Sequence, residues 1–595
     1  MTRRDAPPLS LPFYRGVLRS LAPTPPFAMS SSAELAAAAP PPADAAATPA
    51  AVEPAAAGGA AAMAGWDDVA RLVKSKGSFE VSLKDAIPGQ VVTRFPPEPS
   101  GYLHIGHCKA ALLNAYFAAK YQGRLLVRFD DTNPSKENAG FEAAIVEDLA
   151  RVGIVPDKVE YTSDYFPHLL AMAREFIEAG KAYVDNTEVE EMRRQRMAKE
   201  HSPFRDVPPA DSLRRWEEML AGTPEGLKCC LRAKIDMRHK IGSMRDPIMV
   251  RTNATPHHRT GDTYKVYPTY DFSCPVVDSL SGVTHALRSS EYSDRVKQYQ
   301  WFCAAAAVRV PAVWDFARLN FVYVLMSKRK LQALVDTGVA DGWDDPRFPT
   351  VRGLMRRGLT VTALRAFILS QGASRSATLM EWDKIWTVNK RALDPVAPRH
   401  VAIGTPADGA VVLTVTGAVE ETRAVPRHKK NAALGDKPVL YGPRVWLEGA
   451  DAAALTVGTR VTLMDWGNVH VDAVPGPDGG ELTATFLPDD QDFKGTAKLT
   501  WLADVPDLVP LRLVSYGHLL TKPKLDDGDD VDAFLNRDSR TEVAARGDVN
   551  LRGLQKGDVV QLERRGFFIC DAVHVRDGAA VPLTLIEIPD GKAKK

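Results

Sequence analysis

The chain has 595 residues, 45% hydrophobic and 25% charged, an ordinary balance for a globular protein of several domains. Lys plus Arg number 75 against 74 Asp plus Glu, so the formal charge of +1 excludes a globally basic nucleic-acid coat and confines any polyanion site to a local patch. No run approaches the ~18 uninterrupted apolar residues of a membrane-spanning helix, and the six cysteines (108, 229, 230, 274, 303 and 570) include no CxxC pair, which argues against a disulfide scaffold or a zinc ribbon.

Residues 1–65 stand apart. Between Ser31 and Ala64, 18 of 34 residues are Ala, mixed with Pro and Gly. Such a segment cannot bury enough surface to offset its ordering entropy, and it is expected to be disordered. The first 28 residues carry Arg3, Arg4, Arg15 and Arg19 against Asp5, which fits either an organelle transit peptide or an extension upstream of a second start at Met29.

From about Trp66 the sequence reads as folded. Val91–Phe95 is a β-branched run stopped by Pro96 and Pro97, Lys109–Lys120 an unbroken helical stretch, Leu125–Phe129 a second strand closed by Asp130 and Asp131, and Phe141–Val152 a second helix. Strand and helix alternating through short links predict a parallel α/β sheet. Residues 185–265 interrupt this rhythm as a polar insertion, with 15 Lys/Arg against 9 Asp/Glu in Glu191–Thr260. Tyr264–Phe272 and Val283–Leu287 resume strand-like sequence, and helical patterns dominate from Lys330 to Lys390. Beyond Asp394, short β-branched runs (Ala410–Val419, Thr459–Met464, Val559–Leu562, Val581–Ile588) between Gly, Pro and Asp turns predict one or two β-barrels or sandwiches.

Two segments carry chemistry. The first, Arg94-Phe-Pro-Pro-Glu-Pro-Ser-Gly-Tyr-Leu-His-Ile-Gly-His107, lies between the first strand and the first helix, where open α/β sheets bind ligands. The helix N-terminus offers free N–H groups to phosphate. Gly101 and Gly106 allow close backbone approach. His104 and His107, three apart, share a side and can donate to phosphate oxygens. A pair of structural histidines in a Pro-stiffened turn would have the same local sequence. The second segment, Asn320–Lys330, is an apolar strand running into a basic turn, with Lys328 and Lys330 available to a polyphosphate. A solvated basic loop is the alternative for that segment alone. Together the two suit nucleotidyl transfer, which needs positioning and charge neutralisation rather than a protein nucleophile. A P-loop and a GxGxxG are missing from this region.

These segments resemble the HIGH and KMSKS signatures of class I aminoacyl-tRNA synthetases, the second in the form Leu-Met-Ser-Lys-Arg at 325–329. Val91–Asn114, Val127–Lys136, His257–Arg259, Tyr267–Phe272, Thr284–Arg288, Arg318–Leu331, Gly342–Gly353, Glu381–Lys390 and Asp394–Arg399 resemble the glutamyl/glutaminyl branch. So do Val425–Asn431, Met464–Asn468, Leu499–Ala503, Lys522–Asp527 and Gln561–Gly566, and the likeness spans roughly residues 85–590.

The resemblance implies a multidomain α/β plus all-β protein. Its parts are a disordered extension (1–65), a Rossmann-like parallel-sheet catalytic domain (66–184 and 266–335), an acceptor-end-binding insertion (185–265), a helical stem-contact region (336–394) and anticodon-binding β-barrels (395–595). It implies an ATP site at Glu98, Pro99, Ser100, His104, Ile105, Gly106, His107, Lys109, Ala110, Ser289, Arg318, Leu319, Met326, Ser327 and Lys328, with Mg²⁺ as counter-ion, and catalytic roles for His104, His107 and Lys328. It places the amino acid at Arg94, Asp130, Tyr270 and Arg288, and tRNA contacts at Arg427, Lys429, Lys430 and Trp466. No resident metal ligand is expected.

Arg288 points to the glutamyl members, since the resemblance puts a smaller neutral residue there in glutaminyl ones. A guanidinium pairs bidentately with a carboxylate and has no acceptor for an amide N–H₂. A surface pairing of Arg288 with Glu291 or Asp294 is the structural alternative. The implied reaction is attack of the glutamate α-carboxylate on the α-phosphate of ATP, then transfer of the glutamyl group to the terminal 2′-hydroxyl of tRNA(Glu). A glutaminyl enzyme, a non-discriminating enzyme and a non-catalytic tRNA-binding protein are the competing readings. The expected site of action is the cytoplasm, with plastid or mitochondrial import through the N-terminal extension as the alternative. No membrane association is expected, and the lack of a recognisable docking domain before residue 85 speaks against membership of a multi-synthetase assembly.

Overall fold

The computed structural model describes residues 66–72 and 82–592, apart from 373, 376–377, 477–479 and 576–580. The disordered or transit reading of residues 1–65 lies outside the described residues.

A short helix α1 (Asp67–Leu72) precedes the first strand β1 (Val92–Phe95), helix α2 (Ile105–Lys120), β2 (Arg124–Phe129), α3 (Ala139–Arg151) and β3 (Lys158–Tyr161). These strands form a parallel sheet in the order β1-β2-β3. Helix α4 (Phe166–Glu178) leads away into an antiparallel sheet of β4 (Ala182–Asp185), β5 (Cys230–Ala233), β6 (Ile248–Thr252) and β7 (Val266–Pro268). That sheet carries helices α5 (Val189–Ala198) and α6 (Pro209–Ala221). The segment Tyr264–Phe272, strand-like in sequence, divides: β7 has three residues, and helix α7 begins at Tyr270 and runs to Leu280. Thr269, in extended backbone, links the two, and its hydroxyl donates to Ile248 O at 2.8 Å.

The parallel sheet resumes with β8 (His285–Ser289), α8 (Val296–Ala305) and β9 (Ala312–Phe316), with β8 and β9 paired in parallel. Thr284 stitches the halves together: its N–H donates to Val92 O at 2.9 Å, and its Oγ1 accepts from Val92 N at 2.8 Å. The order is therefore β3-β2-β1-β8-β9. The chain turns outward in both directions from the seam between β1 and β8, which is the crevice where open α/β sheets take ligands.

The segment from Asn320 departs from the predicted strand and loop. Strand β10 is two residues (Asn320–Phe321), and Lys328 opens helix α9 (Lys328–Asp336), with Ser327 as its cap residue. The apolar residues that read as strand instead anchor a turn: Leu325 joins Leu331, Leu334 and Phe348 in a core completed by Leu519, Leu520 and Leu535. Helices α10 (Val351–Arg356) and α11 (Val361–Ser370), a two-residue strand β11 (Leu379–Met380) and helix α12 (Asp383–Leu393) follow.

Beyond residue 395 the chain builds two seven-stranded sheets. One runs from Val411–Thr416 to Trp501–Ala503. The other takes Arg399–His400 and Ala402–Gly404 and then everything from Val509–Tyr516 to Leu583–Ile588. In each, the two end strands are consecutive pieces of chain bent at one residue, Val401 or Thr500, so each sheet closes on itself as a barrel. Val514, Phe567, Ile569 and Ile586 of the second barrel are buried in the same core as Leu112, Phe117 and Trp386 of the helical layer.

Candidate functional site

Helix α2 starts at the C-terminal end of β1, and its first turn is built by the two histidines. His104 caps the helix: its Nδ1 accepts from Gly106 N at 3.1 Å, while Nδ1 of His107 accepts from His104 N at 3.3 Å. With both Nδ1 atoms accepting, each neutral ring carries its proton on Nε2. The rings stack at 3.6 Å. Burial, with Arg318 and Lys328 nearby, lowers the His104 pKa to about 3. Burial and the neighbouring His104 hold His107 well below its ordinary value. Two uncharged N–H donors therefore sit at a helix N-terminus, an arrangement that stabilises anionic oxygen without a proton transfer.

Lys328 reaches this turn from α9. Its Nζ donates to Ser100 Oγ at 2.7 Å, and burial lowers its pKa. Gly101 makes the crossing possible, since a Cβ there would lie 2.8 Å from Lys328 Cδ. A Cβ on Gly106 would lie 3.0 Å from His104 Cε1 and 3.9 Å from Leu319 O. Ahead of α9, Tyr323 holds φ at +59°, stacks on His518 at 4.4 Å and donates its N–H to Pro523 O at 2.7 Å, so a barrel loop fixes the turn that delivers Lys328.

The remaining residues of the implied ATP site divide. Glu98 is exposed near Lys328, and Met326 and Ser327 precede that lysine. Arg318 pairs with Glu291 at 3.3 Å, and Ser289 Oγ accepts from Glu291 N at 3.4 Å. Pro99, Ile105 and Leu319 are buried, and Ala110 O accepts from Asn114 Nδ2. Lys109 is buried with its ammonium 6.0 Å from the Phe316 ring, and burial lowers its pKa to about 8.

The residues that the resemblance implies for the amino acid lie around the seam. Arg288, 5% exposed, stands near the end of β8 with its guanidinium 5.8, 5.1 and 5.3 Å from the rings of Tyr270, Tyr292 and Tyr299. Its Nε and Nη1 are buried without a hydrogen-bond partner. The surface pairing with Glu291 or Asp294 is not formed; Glu291 faces Arg318 instead. Asp130, at the end of β2, has its pKa raised to about 6 by burial and by Glu98, against the pull of Arg128. Arg94 lies behind this front. Its Nε donates to Asp278 at 2.9 Å and its Nη1 to Leu287 O at 2.9 Å, with Asp278 also accepting from Arg128 at 2.6 Å. Sequence reasoning did not pick out Asp278, Arg128, Tyr292 or Tyr299, because they are distant in the chain and their local patterns read as ordinary helix and strand.

In the barrels, Arg427 Nε donates to Asp436 O, Lys429 pairs with Asp465 at 2.6 Å, and Lys430 is exposed. Trp466 is half-buried against Tyr441, Phe486 and Trp501, part of the barrel's aromatic core. Near β2, Glu137, His257 and His258 bring possible metal-ligand atoms within 4.8 Å of one another. Both ring nitrogens of His257 are already engaged, Nε2 with Asp131 O and Nδ1 with two backbone N–H groups.

Residues 90–395 match the family described as tRNA synthetases class I (E and Q), catalytic domain, and residues 397–487 and 498–571 match its two anticodon-binding domains. The chain belongs to this synthetase family. It is 50% identical over 529 residues to a cytoplasmic glutamate–tRNA ligase of Arabidopsis thaliana, covering 88% of this chain and 73% of that one. It is 49% identical to the corresponding protein of Saccharomyces cerevisiae, covering 87% and 73%. A bifunctional glutamate/proline–tRNA ligase of Cricetulus griseus is 48% identical, but the match spans only 36% of that longer protein. As a class I synthetase the chain binds ATP, an amino acid and tRNA, and its HIGH- and KMSKS-like segments lie at the starts of α2 and α9. Among the described residues no helix is long and apolar enough to cross a membrane.

Proposed function

We propose that this synthetase ligates L-glutamate to tRNA(Glu) through a glutamyl-adenylate. The observation that carries the amino-acid choice is Arg288: a buried guanidinium with two unpaired donors, at the mouth of the β1–β8 seam. A buried cation without a partner is costly, and a carboxylate repays that cost with bidentate hydrogen bonds. A glutamine amide would set N–H₂ against N–H and leave the charge unpaired, a mismatch that supports discrimination on the order of 10⁴. The naming of the relatives as glutamate–tRNA ligases points the same way.

In this reading Tyr270 holds the substrate side chain, and burial keeps its hydroxyl neutral. Asp130 receives the ammonium, whose charge offsets the cost of ionising a buried carboxyl. The α-carboxylate then faces the nucleotide. His104 and His107 donate their Nε2–H groups to phosphate oxygens, and Lys328 neutralises the charge that develops as pyrophosphate departs. The terminal ribose 2′-hydroxyl of tRNA attacks the adenylate carbonyl. Mg²⁺ characteristically takes substrate phosphates, water and one or two protein oxygens, and the exposed carboxylate of Glu98 beside Lys328 would offer an oxygen to an ion carried by ATP. The net excess of six positive charges in Glu191–Thr260 suits the acceptor end of tRNA, and Arg427, Lys429 and Lys430 are offered for the anticodon arm. The naming of the relatives as cytoplasmic supports a cytoplasmic site of action.

The test is charging of total tRNA from the source cell with ATP and radiolabelled glutamate or glutamine. Glutamate incorporation with glutamine at background is expected. Preferential glutamine charging, or tRNA binding without charging, would overturn the proposal.

A further inference from the structure

We infer that Tyr299 is a positioning residue for Arg288, holding the recognition guanidinium in place through a buried anchor at Asp278. This rests on the glutamate reading of the Arg288 pocket and adds how that pocket is kept in shape.

Arg288 has no hydrogen-bonding neighbour to fix its Nε or Nη1. A long side chain in that state is free to rotate unless its plane is packed, and a mobile guanidinium gives up much of the geometric advantage of a bidentate contact. Three tyrosines surround it, but they are not equivalent. Tyr270 and Tyr292 contact each other at 5.6 Å. Tyr270 is already committed to the substrate in the proposed function, and Tyr292 lies on the half-exposed 3-10 turn Ser290–Arg295.

Tyr270 also bonds the Cys274 thiol on its own helix, and Tyr299 is the ring that ties the guanidinium directly to the Asp278 carboxylate. It is 2% exposed on α8, with its ring 5.3 Å from Arg288 Cζ. Its hydroxyl donates to Asp278 Oδ2 at 2.8 Å.

Asp278 is itself immobile. It is fully buried on α7 and accepts from Arg94, Arg128 and Tyr299, with the Cys274 thiol at 3.6 Å. Arg94 also donates to Leu287 O, the carbonyl directly before Arg288, so the same cluster fixes the backbone from which Arg288 projects. Backbone and guanidinium plane are thus referred to one carboxylate, the first through Arg94 and the second through Tyr299. The cluster also holds three guanidinium groups against one carboxylate. Each is repelled by the others, so Arg288 has an electrostatic reason to drift outward unless its face is held.

The experiment compares wild type, Tyr299→Phe and Tyr299→Leu in steady-state charging of tRNA, varying glutamate, glutamine and ATP separately, with thermal melting as a control. Tyr299→Phe keeps the ring and frees it from Asp278. It is expected to raise KM for glutamate about tenfold, the scale of a hydrogen bond to a charged group, with KM for ATP within about twofold. Tyr299→Leu removes the shelf as well and is expected to raise KM for glutamate further and narrow the glutamate-over-glutamine ratio. An unchanged glutamate KM in Tyr299→Phe overturns the inference, as does an equal rise in KM for both substrates. The isosteric Phe variant keeps the test decisive if the Leu variant does not fold. A wild-type enzyme that charges glutamine in preference overturns the underlying reading of the pocket, and this inference with it.

Discussion

Replacing Arg288 with cysteine removes the one buried guanidinium whose Nε and Nη1 both lack a partner at the seam, and the size of the effect follows from that state. In the substrate complex Arg288 and the glutamate γ-carboxylate form a buried, charge-assisted pair. Deleting one member of such a pair costs about 3–5 kcal/mol. At about 1.4 kcal/mol per decade that is a loss of roughly 10² to 10³·⁵ in kcat/KM for glutamate. Cysteine leaves room for water beside the orphaned carboxylate, so the lower end, about 10², is expected. Stability should move the other way: the free enzyme loses a buried, uncompensated cation, and the Tm of the variant should equal or exceed that of wild type. The assay is steady-state charging with radiolabelled glutamate and glutamine, beside a thermal melt. A glutamate kcat/KM within about fivefold of wild type would refute the assignment, because no buried ion pair is worth so little when halved.

Three further outcomes are expected. Lys328→Ala should slow adenylate formation by about 10² or more while leaving tRNA affinity intact, read by single-turnover kinetics and filter binding. Gly101→Ala should fold normally, because the Cβ meets only the flexible end of Lys328, yet it should push the ammonium off Ser100 and slow the same step; wild-type kinetics would show that the contact is incidental. His104 is held neutral in the folded protein, with its pKa lowered to about 3, so the unfolded chain binds more protons as pH falls below the ordinary histidine value. Stability should therefore fall from about pH 6.5 toward 3. His104→Asn, which retains a capping oxygen, should lessen the drop in denaturation midpoint between neutral pH and pH 4, and an identical drop would contradict the assignment.

What the sequence discloses here is set by range. The end of β1, the glycine–histidine turn and α2 were readable because Pro96, Pro97, Gly101 and Gly106 impose local backbone choices. The parallel sheet followed from alternation alone. The start of α9 at Lys328 was missed because the apolar residues before it are buried against Leu519, Leu520 and Leu535, nearly two hundred residues away, rather than in a ladder. Arg94 shows the same limit from the site's side. Its position in the signature was evident, but its commitment to Asp278 was not, since 184 residues separate them. Trp466 was selected for its chemistry as a stacking platform, and only the tertiary structure surrounds it with Tyr441, Phe486 and Trp501.

The position of Asp278 in the chain bears on how the protein is made. Arg94 and Arg128 lie on β1 and β2, yet the carboxylate that pairs with both is synthesised only after the whole antiparallel insertion. Until then the interior of the nascent sheet would have to hold two bare cations, and desolvating them forbids it from closing. The order of assembly expected from this is that the β1–β2 sheet closes only when α7 brings Asp278 to it, after the insertion has been made.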